Sequence, residues 1–293
     1  MNIKVGDIVG RSSYGCDIFF KVINIYTNVA GQQMAKLKGM DLRLTATAAV
    51  SDLVKIDPTH VNAYWHKMMS RNYEEMKRVF SRRQEAHQRS IMRNTGDRIE
   101  SFDIPGKVLH VDGDKDYLNL CMTTYKQMSI PAHGYNVSEE KQPEKIIELL
   151  EKHNPDIVVL TGHDGFIKGQ KDFSDLKNYH NSRHYVEAIK SARRYEKNMD
   201  DLIIFAGACQ SHYEAMLDAG ANFASSPKRV LIHAFDPVFI VEKIAYTSIY
   251  EAIPLKEVIS GTITGFEGVG GMETRGKHRL GIPKSSIEQK PLS

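Results

Sequence analysis

Two residues in this sequence have the chemistry of a nucleophilic pair: His163, in LTGHDG, and Cys209, in FAGACQS. A thiol attacks carbonyl carbon efficiently near neutral pH only as the thiolate, which needs an imidazole or a cation beside it. Each residue closes a hydrophobic run, DIVVLT before His163 and LIIFAGA before Cys209, and the 46 residues that separate them (209 − 163) leave room for one loop, one helix and one return strand. In an open parallel sheet, groups that follow the carboxyl ends of neighbouring strands face one crevice. The spacing therefore predicts a Cys/His dyad, with Cys209 as nucleophile and His163 as general acid and base. That chemistry requires no metal and no organic cofactor. Ala206, Gly207 and Ala208 keep the strand end slim enough for an extended polypeptide to approach. The backbone amides of Cys209, at the start of an expected helix, and of Gly165 are the predicted oxyanion donors. Each residue alone also has a plain structural reading, a small buried hydrophobe for the cysteine and a satisfied polar residue for the histidine. Cys121 and Cys16 are read in that plain way.

Other clusters carry weaker signals. VDGDKD places Asp112, Asp114 and Asp116 at the end of another apolar run, but it lacks the DxDx[TV] order of an acidic phosphoryl-transfer site. His180 and His184 have an i, i+4 spacing without an HExxH context, so surface histidines are expected there and no metal. Three cysteines at positions 16, 121 and 209 are an odd count and fit neither a disulfide framework nor a CxxC site. The polar stretch from Asp164 to Ser182 is long for a compact domain and reads as a recognition loop or a disordered one.

The elements that must position these residues follow from periodicity. Short alternating segments at Val5 to Val9, Ile18 to Tyr26, Met34 to Gly39 and Leu42 to Thr47 predict a small SH3-like β-barrel over residues 1–57. Val61, Trp65, Met68, Met69, Met76, Val79 and Phe80 recur at helical spacing, with Arg71, Lys77, Arg78, Arg82, Arg83, Arg89 and Arg93 on the other faces. This predicts a basic amphipathic helix with a solvated face and a linker at Asn94 to Asp97, together residues 58–103. From residue 104 apolar strands alternate with helices through about residue 263: strands at Lys107 to Asp112, Tyr135 to Val137, Asp156 to Thr161, Leu202 to Ala208, Ala221 to Ser225 and Arg229 to Ala234. Helices are expected at Asp116 to Met128, Pro143 to His153, Ser182 to Lys197, near His212 to Ala219, and from Asp236 to about Tyr250. Continuous apolar strands separated by helices mean a parallel sheet covered on both faces. Residues 264–293 read as a flexible, Gly-rich basic tail.

Composition excludes several classes. The 293 residues carry 39 Lys+Arg against 36 Asp+Glu, and a net charge of +3 is too small to imply wholesale nucleic-acid binding. Residues 1–103 hold 16 Lys+Arg and 11 Asp+Glu, leaving 23 and 25 for the remainder, so the modest positive excess sits in the N-terminal third. The sequence has neither a secretory leader nor an apolar run of about 18 residues, which predicts a cytoplasmic protein with no membrane insertion.

VVLTGHDG followed by LIIFAGAC resembles the caspase, gingipain, clostripain, legumain and separase group of cysteine peptidases. VDGDKDYL, TGHDG, AGACQSHYEAML, ANFASSP and HAFDP, together with the N-terminal segment and the basic helix, resemble the sporulation-specific YabG protease family over essentially the full length. The resemblance implies a caspase-like parallel-sheet α/β sandwich over residues 104–263, with His163 and Cys209 as the catalytic pair. It also implies protein substrates of the spore coat and cortex, cut after basic residues, Arg above all, in the sporulating mother cell and at the spore surface. In the larger group a glycine directly follows the histidine, whereas Asp164 intervenes here before Gly165. A basic P1 residue needs a carboxylate in S1. Asp112, which would otherwise cap the next helix, is the first candidate, with Asp164 and Asp236 behind it. Self-cleavage is a further expectation, at Lys168, Lys171 or Lys177 in the long loop or at Arg82, Arg83 or Arg98 near the linker. The alternative function is a non-catalytic spore-surface interaction protein built on a degenerate enzyme domain.

Overall fold

The computed structural model describes residues 3–93 and 102–281. Its N-terminal unit contains β1 (Ile8–Arg11), β2 (Phe20–Thr27), β3 (Gln33–Gly39), β4 (Thr45–Ala49) and β5 (Leu53–Lys55) in an antiparallel sheet of order β4-β3-β2-β1-β5. Val9, Phe20, Val22, Ala35, Leu37, Ala48 and Leu53 alternate onto one face and form a separate small core. Four of the five strands match the reading of the sequence, one of them shifted, and β5, which pairs with β1, is an addition to it. Leu42 and Arg43 belong to the β3–β4 connection, not to β4, and they leave the sheet altogether.

Helix α1 (Pro58–Arg93) follows. Met68 and Val79 are buried and Met76 packs against the main core, while Met69 and Phe80 are exposed, so the inward stripe is narrower than the apolar spacing suggests. Its basic face is not simply solvated. Arg83 lies over the Tyr246 ring at 3.2 Å, donates to Glu242 at 2.9 Å and to the Met128 carbonyl at 2.8 Å. The expected linker at Asn94 to Asp97 lies outside the described residues.

The larger unit comprises β6 (Phe102–Ile104), β7 (Val108–Asp112), α2 (Lys115–Gln127), β8 (Ala132–Asn136), α3 (Gln142–His153), β9 (Ile157–Thr161), α4 (Ser182–Tyr195), β10 (Ile203–Ala206), α5 (Tyr213–Asp218), β11 (Phe223–Ser225), α6 (Asp236–Ala245), β12 (Ala252–Ile253), α7 (Leu255–Ser260), β13 (Val269–Gly271), β14 (Thr274–Arg275) and β15 (Arg279–Gly281). The central sheet has the order β13-β11-β10-β9-β7-β8, parallel except for β13. Strands β7, β9 and β10 are buried at every position, the polar His110, Asp112 and Thr161 included, and their alternate apolar residues feed two cores, one on each face.

Two expectations are corrected. Residues 229–234 form no sheet strand, because the edge beyond β11 is taken by β13 running antiparallel. The Gly-rich segment supplies that strand. A Cβ at Gly270 would stand 2.4 Å from the Tyr213 hydroxyl and one at Gly271 2.4 Å from the Asn222 carbonyl oxygen, so glycine is what permits the close approach. Residues 264–281 are therefore part of the fold, and β15 closes back on β6.

Candidate active site

Strands β9 and β10 are parallel neighbours with Leu160 opposite Ala206. His163 and Cys209 each lie three residues past that matched pair, so both loops leave the same end of the sheet in step. Asp164 ties them together. Its carboxylate accepts from the Gly165 amide (2.9 Å), the Asn181 amide (2.8 Å), the Ser182 hydroxyl and the Ser211 hydroxyl (2.9 Å), and Ser211 Oγ in turn accepts from the Ala208 amide (2.9 Å). The residue after the histidine is thus two hydrogen bonds from the residue before the cysteine. Tyr117 packs edge-on against His163, with ring centroids 5.7 Å apart.

His163 is held from several sides. Its Nε2 is 2.8 Å from Asp114 Oδ2, its amide donates to Glu139 Oε1 at 2.6 Å, and its carbonyl accepts from Asn181 Nδ2 at 2.9 Å. Asp114 is an acceptor, so the contact places a proton on Nε2. Nδ1 is buried and has no hydrogen-bond partner among the described residues. Glu139 fits only because residues 113 and 162 are glycines: a Cβ would meet its carboxylate at 2.3 Å and 2.2 Å respectively.

Asp114 caps α2 and is shared. Lys38, from β3 of the N-terminal sheet, reaches Asp114 Oδ1 and Asp116 Oδ2 at 2.6 Å each. Burial works against the Asp114 charge, but His163 and Lys38 outweigh it and bring the carboxyl down to about 2. Asp112 is buried and is paired with the chain's own Arg43 at 2.6 Å. Desolvation opposes its ionisation as well, and the guanidinium, with His110, still holds it well below the usual carboxylate range. Behind it Thr161 donates to Asp112 (2.9 Å), and His110 bridges Thr161 (2.8 Å) and Tyr125 (3.2 Å). Lys38, Arg43, Tyr117 and Thr161 were not singled out in the sequence. His110, two residues before Asp112 on the same strand, was not singled out either.

Cys209 is fully buried, and burial pushes its thiol up to about 12. The partner of its sulfur is the main chain of Ile232, whose amide donates to Sγ at 3.1 Å. Cys209 lies in a turn four residues ahead of α5, which has six residues, so the expected placement of its amide on a helix terminus is not observed. Cys121 is likewise buried, with its thiol raised to about 12 by desolvation, as expected of an inert hydrophobe.

Internal bonding bears on three of the expected roles. The Gly165 amide donates to Asp164 Oδ1 at 2.9 Å. Among the described residues the amides of Cys209 and Asp164 donate to no acceptor. Asp164 has four internal donors and is a clamp between loops. Asp236 accepts from the amides of Ile263 (2.7 Å), Thr264 (3.2 Å) and His233 (3.2 Å) and from the Thr264 hydroxyl, and serves the same purpose at the start of α6. The 164–182 stretch is ordered by a bridge between Phe166 and Tyr179 and by Phe166 stacking on Phe173 at 4.2 Å. No group of three or more His, Cys, Asp or Glu side chains among the described residues is arranged to hold a metal, and no helix among them is long and apolar enough to cross a membrane.

A family model described as YabG peptidase U57 matches residues 4–283. The sporulation-specific protease YabG of Bacillus subtilis (strain 168) is 41% identical over 299 residues, covering 98% of this chain and 100% of that relative. Both matches span the N-terminal sheet as well as the loops bearing His163 and Cys209, and by them the chain belongs to the YabG peptidase family.

Proposed function

We propose that this protein is a cysteine endopeptidase of sporulation in which Cys209 is the nucleophile and His163 the general acid and base. The observation that carries the reading is the buried, unpartnered Nδ1 of His163, in a loop tied through Asp164 and Ser211 to the loop of Cys209. With Nε2 bonded to Asp114, Nδ1 is the nitrogen available to take the thiol proton. Cys209 Sγ attacks the scissile carbonyl carbon, and the oxyanion is met by the amides of Cys209 and Asp164. His163 passes its proton to the leaving amine as the C–N bond breaks, and water deprotonated by His163 then hydrolyses the thioester to the free acid. Asp114 keeps the imidazole in one tautomer and stabilises the imidazolium, and Lys38 fixes Asp114. Asp112 takes the guanidinium of a P1 arginine, and the substrates are proteins of the spore coat and cortex.

The test is turnover of a peptide with a fluorogenic amide after arginine, under reducing conditions. Wild-type chain is expected to cleave it, and Cys209→Ala and His163→Ala to lose at least about 10³-fold in kcat/KM. Turnover that is equal in all three, or absent in all three with folded protein, supports the degenerate, non-catalytic alternative. The same preparations test self-cleavage: fragments are expected in wild-type protein and missing from Cys209→Ala.

A further inference from the structure

The connection between β3 and β4 leaves its own sheet and lies against the 232–234 segment of the larger unit. Leu42 pairs antiparallel with His233 as an isolated bridge, the Arg43 amide donates to the Ile232 carbonyl at 3.1 Å, and the Ala234 amide donates to the Asp41 carbonyl at 2.8 Å. In a regular antiparallel ladder the Ile232 amide would complete the pattern by donating to the Arg43 carbonyl. It donates to Cys209 Sγ instead, so the nucleophile stands where that carbonyl would normally be received.

The Arg43 side chain is 1% exposed, with its guanidinium on Asp112 at 2.6 Å and near the Ala234 carbonyl at 3.4 Å. Tyr117 grips the same connection through one hydroxyl placed 2.6 Å from both the Gly39 and Leu42 carbonyls. Immediately after Arg43 the chain turns back, the Leu44 amide bonding the Leu42 carbonyl at 2.7 Å. A segment bridged to the 232–234 edge, an arginine on a buried carboxylate and a bond to Ile232, whose own amide meets the Cys209 sulfur, are the features a cut polypeptide would present.

Resting on the peptidase reading above, we infer that Asp41–Leu42–Arg43 is a resident substrate mimic. It occupies the strand-docking edge at 232–234 with Arg43 in the P1 place, so the resting chain is blocked until this strap swings out. The burial of Cys209 follows from it. The crevice has a polypeptide entrance, and the chain's own polypeptide is in it. Substrates are then extended segments with arginine at P1 that pair with residues 232–234, and Asp112 is the specificity-determining carboxylate uncovered when Arg43 leaves.

The experiment uses full-length wild type and Arg43→Gln with the arginyl fluorogenic peptide, and hydrogen exchange of wild type with and without a peptidyl-arginal. Arg43→Gln is expected to raise kcat/KM by at least about tenfold, because removing the charge from the occupant shifts the blocked population toward the open one. Aldehyde binding to wild type is expected to speed exchange across residues 40–44. Equal kcat/KM in the two proteins, or unchanged protection of residues 40–44 while the aldehyde inhibits, overturns the strap and leaves the peptidase reading standing. If Arg43→Gln does not fold, the exchange measurement on wild type decides alone. A Cys209 that the aldehyde modifies in neither protein, with turnover in neither, removes the peptidase reading and this inference with it.

Discussion

Asp112, fully buried at the end of β7, and Asp164, partly buried three residues past the neighbouring β9, are satisfied by opposite means. Asp164 takes four neutral donors from the loops and helix start around it, and burial leaves its pKa raised. Asp112 takes a full positive charge from a different unit of the molecule, 69 residues away in sequence (112 − 43), and its pKa is lowered. The first arrangement joins the surrounding loops through neutral hydrogen bonds alone. The second is an ion pair between two units, and under the proposed strap Arg43 gives way there to the guanidinium of a substrate.

The largest effect expected from this contrast is on stability. Asp164→Ala should cost about 3–5 kcal/mol in urea unfolding, because several buried donors lose their acceptor at once. Asp112→Ala should cost less, about 1–3 kcal/mol, because the strap can undock and hydrate Arg43. Equal costs for the two, with residues 40–44 still protected from exchange in Asp112→Ala, would break the comparison.

Next in size is Asp114→Asn, which keeps the shape of the α2 cap but removes the charge facing His163. It should lower kcat about tenfold to a hundredfold with little change in KM, and shift the acid limb of the kcat/KM profile. A role in folding alone would lower the active fraction and leave that limb where it was. Lys38→Gln acts one step further out, and a loss of about twofold to fivefold in kcat is expected for a contact that touches the base only through Asp114.

The smallest effect is on acid stability. The Asp114 carboxyl is lowered to about 2 from an ordinary 3.8, so the folded state binds that proton later than the unfolded state as acid is added. Its stabilising contribution is complete above about pH 4 and is lost as pH falls through about 2. Wild type should therefore lose stability more steeply than Asp114→Asn across that interval, and parallel curves would refute the Asp114–His163–Lys38 coupling.

The chain's legibility divides along the same contrast between local and distant partners. The buried parallel strands were readable because DIVVLT and LIIFAGA have no polar face to turn to water, and with them came the level placement of residues 163 and 209. Helices α2, α3 and α4 were readable from their stripes and caps. The strand Val269–Gly271 was not, since three residues with two glycines carry no periodicity and become a strand only because β11 offers an open edge. Residues 229–234 misled for the converse reason: VLIHA is apolar enough for a strand, but its partner is the β3–β4 connection, outside the central sheet. Nothing local in KLKGMDLRL announces that Lys38 and Arg43 will arrive at two aspartates beyond a 36-residue helix.

The snug seat of Glu139 against Gly113 and Gly162 carries a consequence for variation in this chain. Adding a single methyl group at either position would evict the carboxylate that anchors the backbone of the imidazole-bearing loop. Alanine at 113 or 162, the mildest replacement on paper, should therefore slow turnover by letting His163 drift, with both residues of the proposed pair intact.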